Sequence, residues 1–334
     1  MFALPQIVRR PLAPLDEAER RRHKVRNVVQ SALLLGGMFA IMALCGWLLF
    51  GWDGLLGIGL GGAFALFFSP RISPRMVLRL YRAQELAPER LPDVFRILTR
   101  LAERAGLERP PRLYYVPSTM LNAFAVGRAD DVVIALTDGL LRTLSVRELA
   151  GVLAHEISHV RNNDLWLMNL ADLAGRITRL MALFGIVLLV MSLPLWLIGQ
   201  ASAPWVLVPL LLFAPQLTTL LQLALSRSRE FDADLDAAGL TGDPDGLASA
   251  LLKLERHQRG PWEQIFMPGY RLPEPSLLRS HPATAERIAR LEALHGTTVE
   301  EPLLLPGFIE GASIECAWPR IVRTPRGRLV GYWY

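Results

Sequence analysis

The chain has 334 residues, of which 51% are hydrophobic and 20% charged, and its mean hydropathy is +0.29; this excludes a disordered chain, which needs low hydrophobicity and high net charge. Two cysteines, Cys45 and Cys316, exclude a disulfide scaffold. A net charge of +5 and a pI near 9.6 would suit nucleic acid, but the arginine clusters flank apolar runs, so membrane topology accounts for them and no nucleic-acid partner is expected.

The first 27 residues form a basic arm with Arg20, Arg21, Arg22, Lys24 and Arg26, in which His23 reads as a solvated residue. No charge follows until Asp53, and 28–50 predicts a first membrane span. The arm is too long for a cleaved signal peptide, so this span reads as an anchor. A shorter run predicts a second span over 54–69, with Gly57 and Gly61 spaced for close packing on the first. In the segment 71–179, Pro92 opens a helical pattern that Gly106 stops, and Arg112–Val116 reads as a strand. Asn122–Val126 and Val132–Leu136 predict a hairpin. Ser145 with Glu148 forms a capping box that opens a helix running through Val160.

Residues 180–226 carry no charge. One helix of that length would be roughly 70 Å long against a bilayer core of about 30 Å, so the run must fold back. The break lies at Gly199–Pro204, giving spans over 180–198 and 204–225, with Pro194, Pro209 and Pro215 predicting kinks. Residues 226–296 return to water, with a Pro- and Gly-rich loop over 260–280; the extension 297–334 has no assignable role. All basic clusters fall on one side of the spans. The positive-inside bias makes that side cytoplasmic.

The chemistry sits on the capped helix, in His155-Glu156-Ile157-Ser158-His159. Histidines at i and i+4 share one helical face and can reach one ion. Zinc takes imidazole nitrogen in a tetrahedral site and keeps a place for water when the protein supplies three ligands. Glu156 stands where a carboxylate can take a proton from that water. A third ligand is needed, and His257, His281, His295 and Glu230 are the choices. Glu230 follows the last span, and the membrane hairpin returns it to the face from which the His155 helix enters. An ordinary surface pair of Glu230 and Asp234 is the alternative. Asp234, one turn on, can brace a ligand imidazole.

Four blocks in order, Asn122–Gly127, His155–His159 with Asn163-Asp164, Ser226–Asp234, and His281-Pro282 with Arg287-Ile288, resemble the HtpX and CAAX-prenyl-endopeptidase family of membrane zinc metallopeptidases, within the gluzincins. The resemblance implies one zinc ion per chain held by His155, His159 and Glu230, with Glu156 as general base and Asp234 behind a ligand. It implies that Asn122, Ala123 and Phe124 bind an extended substrate along a strand edge, and that His281 and Arg287 lie at the cleft to stabilise an oxyanion. Asp164 is expected to fix a helix end or a nearby arginine, and His257 and His295 to be surface residues.

The expected architecture is an α+β, mainly α, zincin-type domain with about four transmembrane helices. Its expected activity is hydrolysis of internal peptide bonds in membrane or misfolded proteins at the cytoplasmic face of a bacterial inner membrane. The partners are polypeptide substrates and the lipid bilayer; the sequence leaves oligomeric state open. The rivals are a membrane scaffold with a structural zinc site, which the adjacent glutamate disfavours, and a CAAX-type processing protease, which four spans disfavour.

Overall fold

In the computed structural model, which describes residues 17–68, 74–128, 131–199, 207–258, 284–294, 303, 328–329 and 332–333, the first apolar run becomes helix α1 (Glu17–Phe68). It is not one rod. Gly51 has φ 60° and ψ −138°, a conformation open to a residue without a Cβ. Beyond it the chain doubles back: a Cβ on Gly54 would run into the Gly46 carbonyl, and one on Gly46 into the Ile58 side chain. In a straight helix residues 46 and 54 would lie about 12 Å apart. The close packing thus falls to Gly46 and Gly54. The expected pair, Gly57 and Gly61, has nothing within 4 Å of its Cβ positions, because both are exposed and the arms touch most tightly beside the reversal. The second arm, 54–68, is roughly 22 Å long at 1.5 Å per residue, shorter than a bilayer core.

Helix α2 (Pro74–Leu80) and strand β1 (Gln84–Glu85) follow. Helix α3 (Pro92–Ala105) has proline in its first turn and ends at Gly106, whose φ of 70° closes it. Strands β2 (Arg112–Val116), β3 (Ala123–Arg128) and β4 (Asp131–Thr137) join β1 in a sheet of order β1-β2-β4-β3. β4 runs parallel to β2 and antiparallel to β3. β3 is therefore a sheet edge.

After a short helix α4 (Asp138–Thr143) comes α5 (Val146–Arg161), opened by the Ser145–Glu148 capping box. The long helices α6 (Asp164–Leu197) and α7 (Leu207–Thr241) follow, then α8 (Pro244–Gln258) and α9 (Thr284–Glu292). α5 is the central element, packed by α3, α7, α8 and β3. Leu149, Leu153 and Ile157 are fully buried in that core. Gly151 lies so close to α8 that a Cβ there would come within 2.9 Å of the Leu247 backbone.

By length and composition, α1, α6 and α7 are apolar enough to cross a membrane. With α1 bent at Gly51, they make four apolar arms. The register of α6 against α7 is antiparallel: a Cβ on Gly175 would meet Gln222, and one on Gly185 would meet Leu211. Continued, it sets residue 230 beside the start of α6. Both helices run on past the apolar segment without a break, so α7 carries Glu230 and Asp234 on a rigid extension of a membrane-type helix. The fold is mainly helical α+β with a small sheet, as the sequence implies. The expected loop over 260–280, His281 and His295 lie outside the described residues. In the extension, Arg328–Leu329 (β5) and Tyr332–Trp333 (β6) pair as a short antiparallel ribbon.

Candidate metal centre

His155 and His159 project from one face of α5 with their Nε2 atoms 3.1 Å apart. Glu230 reaches across from α7, with Oε2 3.4 Å from His155 Nε2 and Oε1 3.8 Å from His159 Nε2. All three side chains are buried, and one ligand atom from each lies within 4.8 Å of the others. Two nitrogens bound tetrahedrally at the usual zinc distance of 2.0–2.1 Å would sit about 3.3 Å apart. The separations found bracket that value. Two imidazoles and a carboxylate are also a donor set zinc prefers, so the residues present fit the ion.

The far side of each ring is braced by a carboxylate. Asp234 Oδ1 lies 3.0 Å from His155 Nδ1, and Asp164 Oδ2 lies 2.9 Å from His159 Nδ1. The His159–Asp164 contact is a hydrogen bond and the His155–Asp234 contact an ion pair; with each Nδ1 turned to a carboxylate, each Nε2 is the nitrogen that can offer its lone pair to an ion. Asp164 is fully buried. It reaches His159 because Asn163 takes a left-handed turn, φ 55°, which asparagine tolerates, so that α6 starts back toward the end of α5. Asp164 stands where the sequence put it, at a helix end and beside an arginine, since it opens α6 with Arg229 Nη1 3.7 Å away; its contact with His159 was not foreseen. The missed signal was its place five residues after His159 on a new helix start.

Arg287 on α9 is buried and forks onto Asp234, donating from Nε at 2.7 Å and from Nη2 at 2.6 Å. Its Nη1 lies 3.0 Å from Glu230 Oε2. Burial works against the Arg287 charge, but Asp234 and Glu230 outweigh it and raise its pKa. Burial likewise pushes the His155 imidazole down, yet Asp234 and Glu230 outweigh that and hold it at about 10. The centre is a pocket of negative charge with a cation docked behind it.

Glu156 is half-buried, and its Oε2 accepts a hydrogen bond from the Ala125 backbone N–H at 3.1 Å. That N–H points away from β4, as alternate residues of an edge strand do. Ala123 and Ala125 turn small buried side chains toward α5, which lets the helix bearing Glu156 approach the strand. Phe124 alternates to the other face, where its buried ring packs on Tyr81 with centroids 5.1 Å apart. The Asn122 N–H donates to Thr137 Oγ1 at 2.9 Å, and its carbonyl accepts from the Thr137 N–H at 3.1 Å, which anchors the start of the strand. His257 is exposed, with Nδ1 3.0 Å from the Lys253 carbonyl.

The chain is also similar to known proteins. Residues 88–295 match the profile of Peptidase family M48. The chain is 38% identical over 280 residues to a protein named Protease HtpX homolog from Burkholderia ambifaria (strain MC40-6), covering 79% of this chain and 96% of that protein. A Protease HtpX homolog from Acaryochloris marina is 37% identical over 297 residues, covering 83% and 97%. Among solved structures, S. mikatae Ste24p aligns with 22% identity and a TM-score of 0.44, over 81% of this chain and 66% of that one.

Proposed function

The chain belongs to Peptidase family M48 and is a membrane-bound metallopeptidase; from that premise we propose that it is a zinc endopeptidase, with one ion per chain on His155, His159 and Glu230. The carrying observation is the convergence of those three buried side chains from two helices separated by an apolar hairpin. The substrates on this reading are membrane or misfolded polypeptides, cleaved at the cytoplasmic face of a bacterial inner membrane in HtpX-like quality control. The basic clusters at one end of the apolar arms support that orientation.

When bound, zinc would polarise the scissile carbonyl and lower the pKa of a water to about 7. The protein's own residues do the rest. The Ala125 N–H orients Glu156, whose carboxylate takes a proton from the attacking water and passes it to the leaving amine. The outer backbone edge of β3 around Ala123, next to the Ala125 N–H that Glu156 occupies, pairs with an extended substrate as an added strand. Phe124 steadies that strand from its other face by packing on Tyr81, while Asn122 pins its start. Asp234 and Asp164 set the two imidazoles in the tautomer that turns Nε2 to the ion. Arg287 offsets the negative charge, and with His281 is the candidate source of positive potential for the oxyanion.

Glu156→Gln is the test. Loss of a general base typically costs 10²–10⁴-fold, so the purified variant is expected to keep stoichiometric zinc while chelator-sensitive proteolysis of an unfolded substrate falls by ~10³-fold. Substantial chelator-sensitive turnover in the variant would overturn the assignment. Glu230→Ala is expected to lose both zinc and activity; full zinc stoichiometry there would remove Glu230 from the ligand set. A wild-type protein that binds zinc but cleaves nothing would instead be the scaffold reading.

A further inference from the structure

The metal reading uses the Nε2 side of His159 and its brace, Asp164, but leaves a buried polar chain behind Asp164 without a task. Arg229 on α7 is 8% exposed. Its Nη1 lies 3.7 Å from Asp164 Oδ1, and its Nη2 lies 2.6 Å from Asp232 Oδ2. That same Nη2 donates at 3.3 Å to the backbone carbonyl of Asn27, near the N-terminal end of the first apolar helix. The Asn27 side-chain amide donates in turn to Asp232 Oδ1. Met38 of α1 and Met168, Ala171, Ala174 and Leu225 of α6 and α7 share an apolar cluster below, which fixes α1 in this seat.

We propose that Arg229 is a positioning residue for the metal centre. It acts through Asp164 on His159, and Asn27 of the first membrane helix holds it in place. The inference rests on the zinc reading above. A carboxylate as enclosed as Asp164 is costly unless its charge is compensated, and Arg229 is the cation that the structure sets beside it. Held between Arg229 and His159, Asp164 keeps its Oδ2 2.9 Å from His159 Nδ1, so the ring keeps the orientation and tautomer that a zinc ligand needs. Adjacent side chains on a helix diverge by about 100°. Thus α7 presents Glu230 to both Nε2 atoms while Arg229 turns to α1 and the rear of His159. The first apolar hairpin is then part of the ligand scaffold as well as an anchor.

A double-mutant cycle on zinc affinity separates this from plain structural support. The full-length protein in detergent is titrated with zinc against a chromophoric chelator, with wild type, Arg229→Gln, Asp164→Asn and the pair compared. Removal of a supporting partner typically weakens metal binding 10–100-fold. Arg229→Gln is therefore expected to weaken zinc ~10-fold in the wild-type background and less than ~2-fold once Asp164 is already Asn, because its route to His159 is gone. Equal losses in both backgrounds, or no loss in the first, would overturn the proposal. Should Arg229→Gln not yield folded protein, Asn27→Ala takes its place in the cycle, with a smaller loss of ~3-fold expected by the same route and the same two outcomes deciding. A wild-type protein that binds no zinc fails the function reading itself, a result distinct from an additive cycle.

Discussion

His155 and His159 are braced alike, from opposite directions. Behind His155 stand Asp234 and then Arg287, a carboxylate gripped by a two-pronged cation. Behind His159 stand Asp164 and then Arg229, with a looser 3.7 Å approach. The first brace draws on α9, 53 residues beyond Asp234, and so exists only when that late segment docks. The second is built next to His159 in sequence and leans on α1. One ion site is thereby made conditional on two distant segments of the chain, α9 and the first apolar hairpin.

The largest expected effect breaks the stronger brace. Arg287→Gln leaves Asp234 and Glu230 as buried negative charges, and removing one partner of such a pair typically costs 3–5 kcal/mol. Unfolding of the metal-free protein in detergent is expected to show a loss of about that size, and a smaller one for Arg229→Gln. Equal losses would mean that the tighter geometry around Asp234 has no energetic counterpart. Metal-free protein is the right state for this comparison, since bound zinc adds its own stabilisation by mass action.

A sharper comparison replaces the carboxylates themselves. Asp234→Asn and Asp164→Asn keep each side chain's shape while removing the charge behind one imidazole. Each is expected to weaken zinc by ~10–100-fold, read by chelator competition, with similar losses from the two sides. If only one variant loses affinity, the matched arrangement of the two rings is a coincidence of packing.

Local signals carried much of this architecture. The i, i+4 histidines and the Ser145 capping box are short-range patterns, and α5 follows them from Val146 to Arg161. The 47-residue uncharged run implies a hairpin by length alone, and α6 and α7 form it. What the sequence hid is long-range. Nothing local says that Asn27 meets Asp232 or that Arg287 grips Asp234, because those pairs depend on how separate helices dock. The roles of Gly46 and Gly54 were hidden for another reason. A GxxxG spacing at Gly57 and Gly61 marks a small-residue face without telling which face the reversal at Gly51 turns inward.

The other end of α5 supplies a control for both braces, with the smallest expected effect. Glu148 also sits among partners, but far from the imidazoles along the helix: its Oε2 accepts from the Ser145 N–H at 2.7 Å and from Lys253 Nζ at 2.7 Å, and its Oε1 from Ser249 Oγ at 2.6 Å. Burial pushes this carboxyl up, yet Lys253, Ser249 and Ser145 together outweigh it and hold its pKa below the usual 4.5. A carboxyl depressed in the folded state contributes stability that is fully present above its unfolded pKa and fades as pH falls through the folded one. Glutamine can still close the capping box but loses the ion pair with Lys253, so Glu148→Gln is expected to cost about 1 kcal/mol near neutrality, with the gap to wild type closing as pH drops below 4.5. Melting curves of both proteins from neutral to acid pH measure it. Zinc affinity at neutral pH is expected to stay as in wild type, because the capping contacts hold the start of α5 and touch neither imidazole. A Glu148→Gln protein that loses zinc as Asp164→Asn does would show that the metal centre answers to any loosening of α5, and the two braces would lose their claim to a specific role.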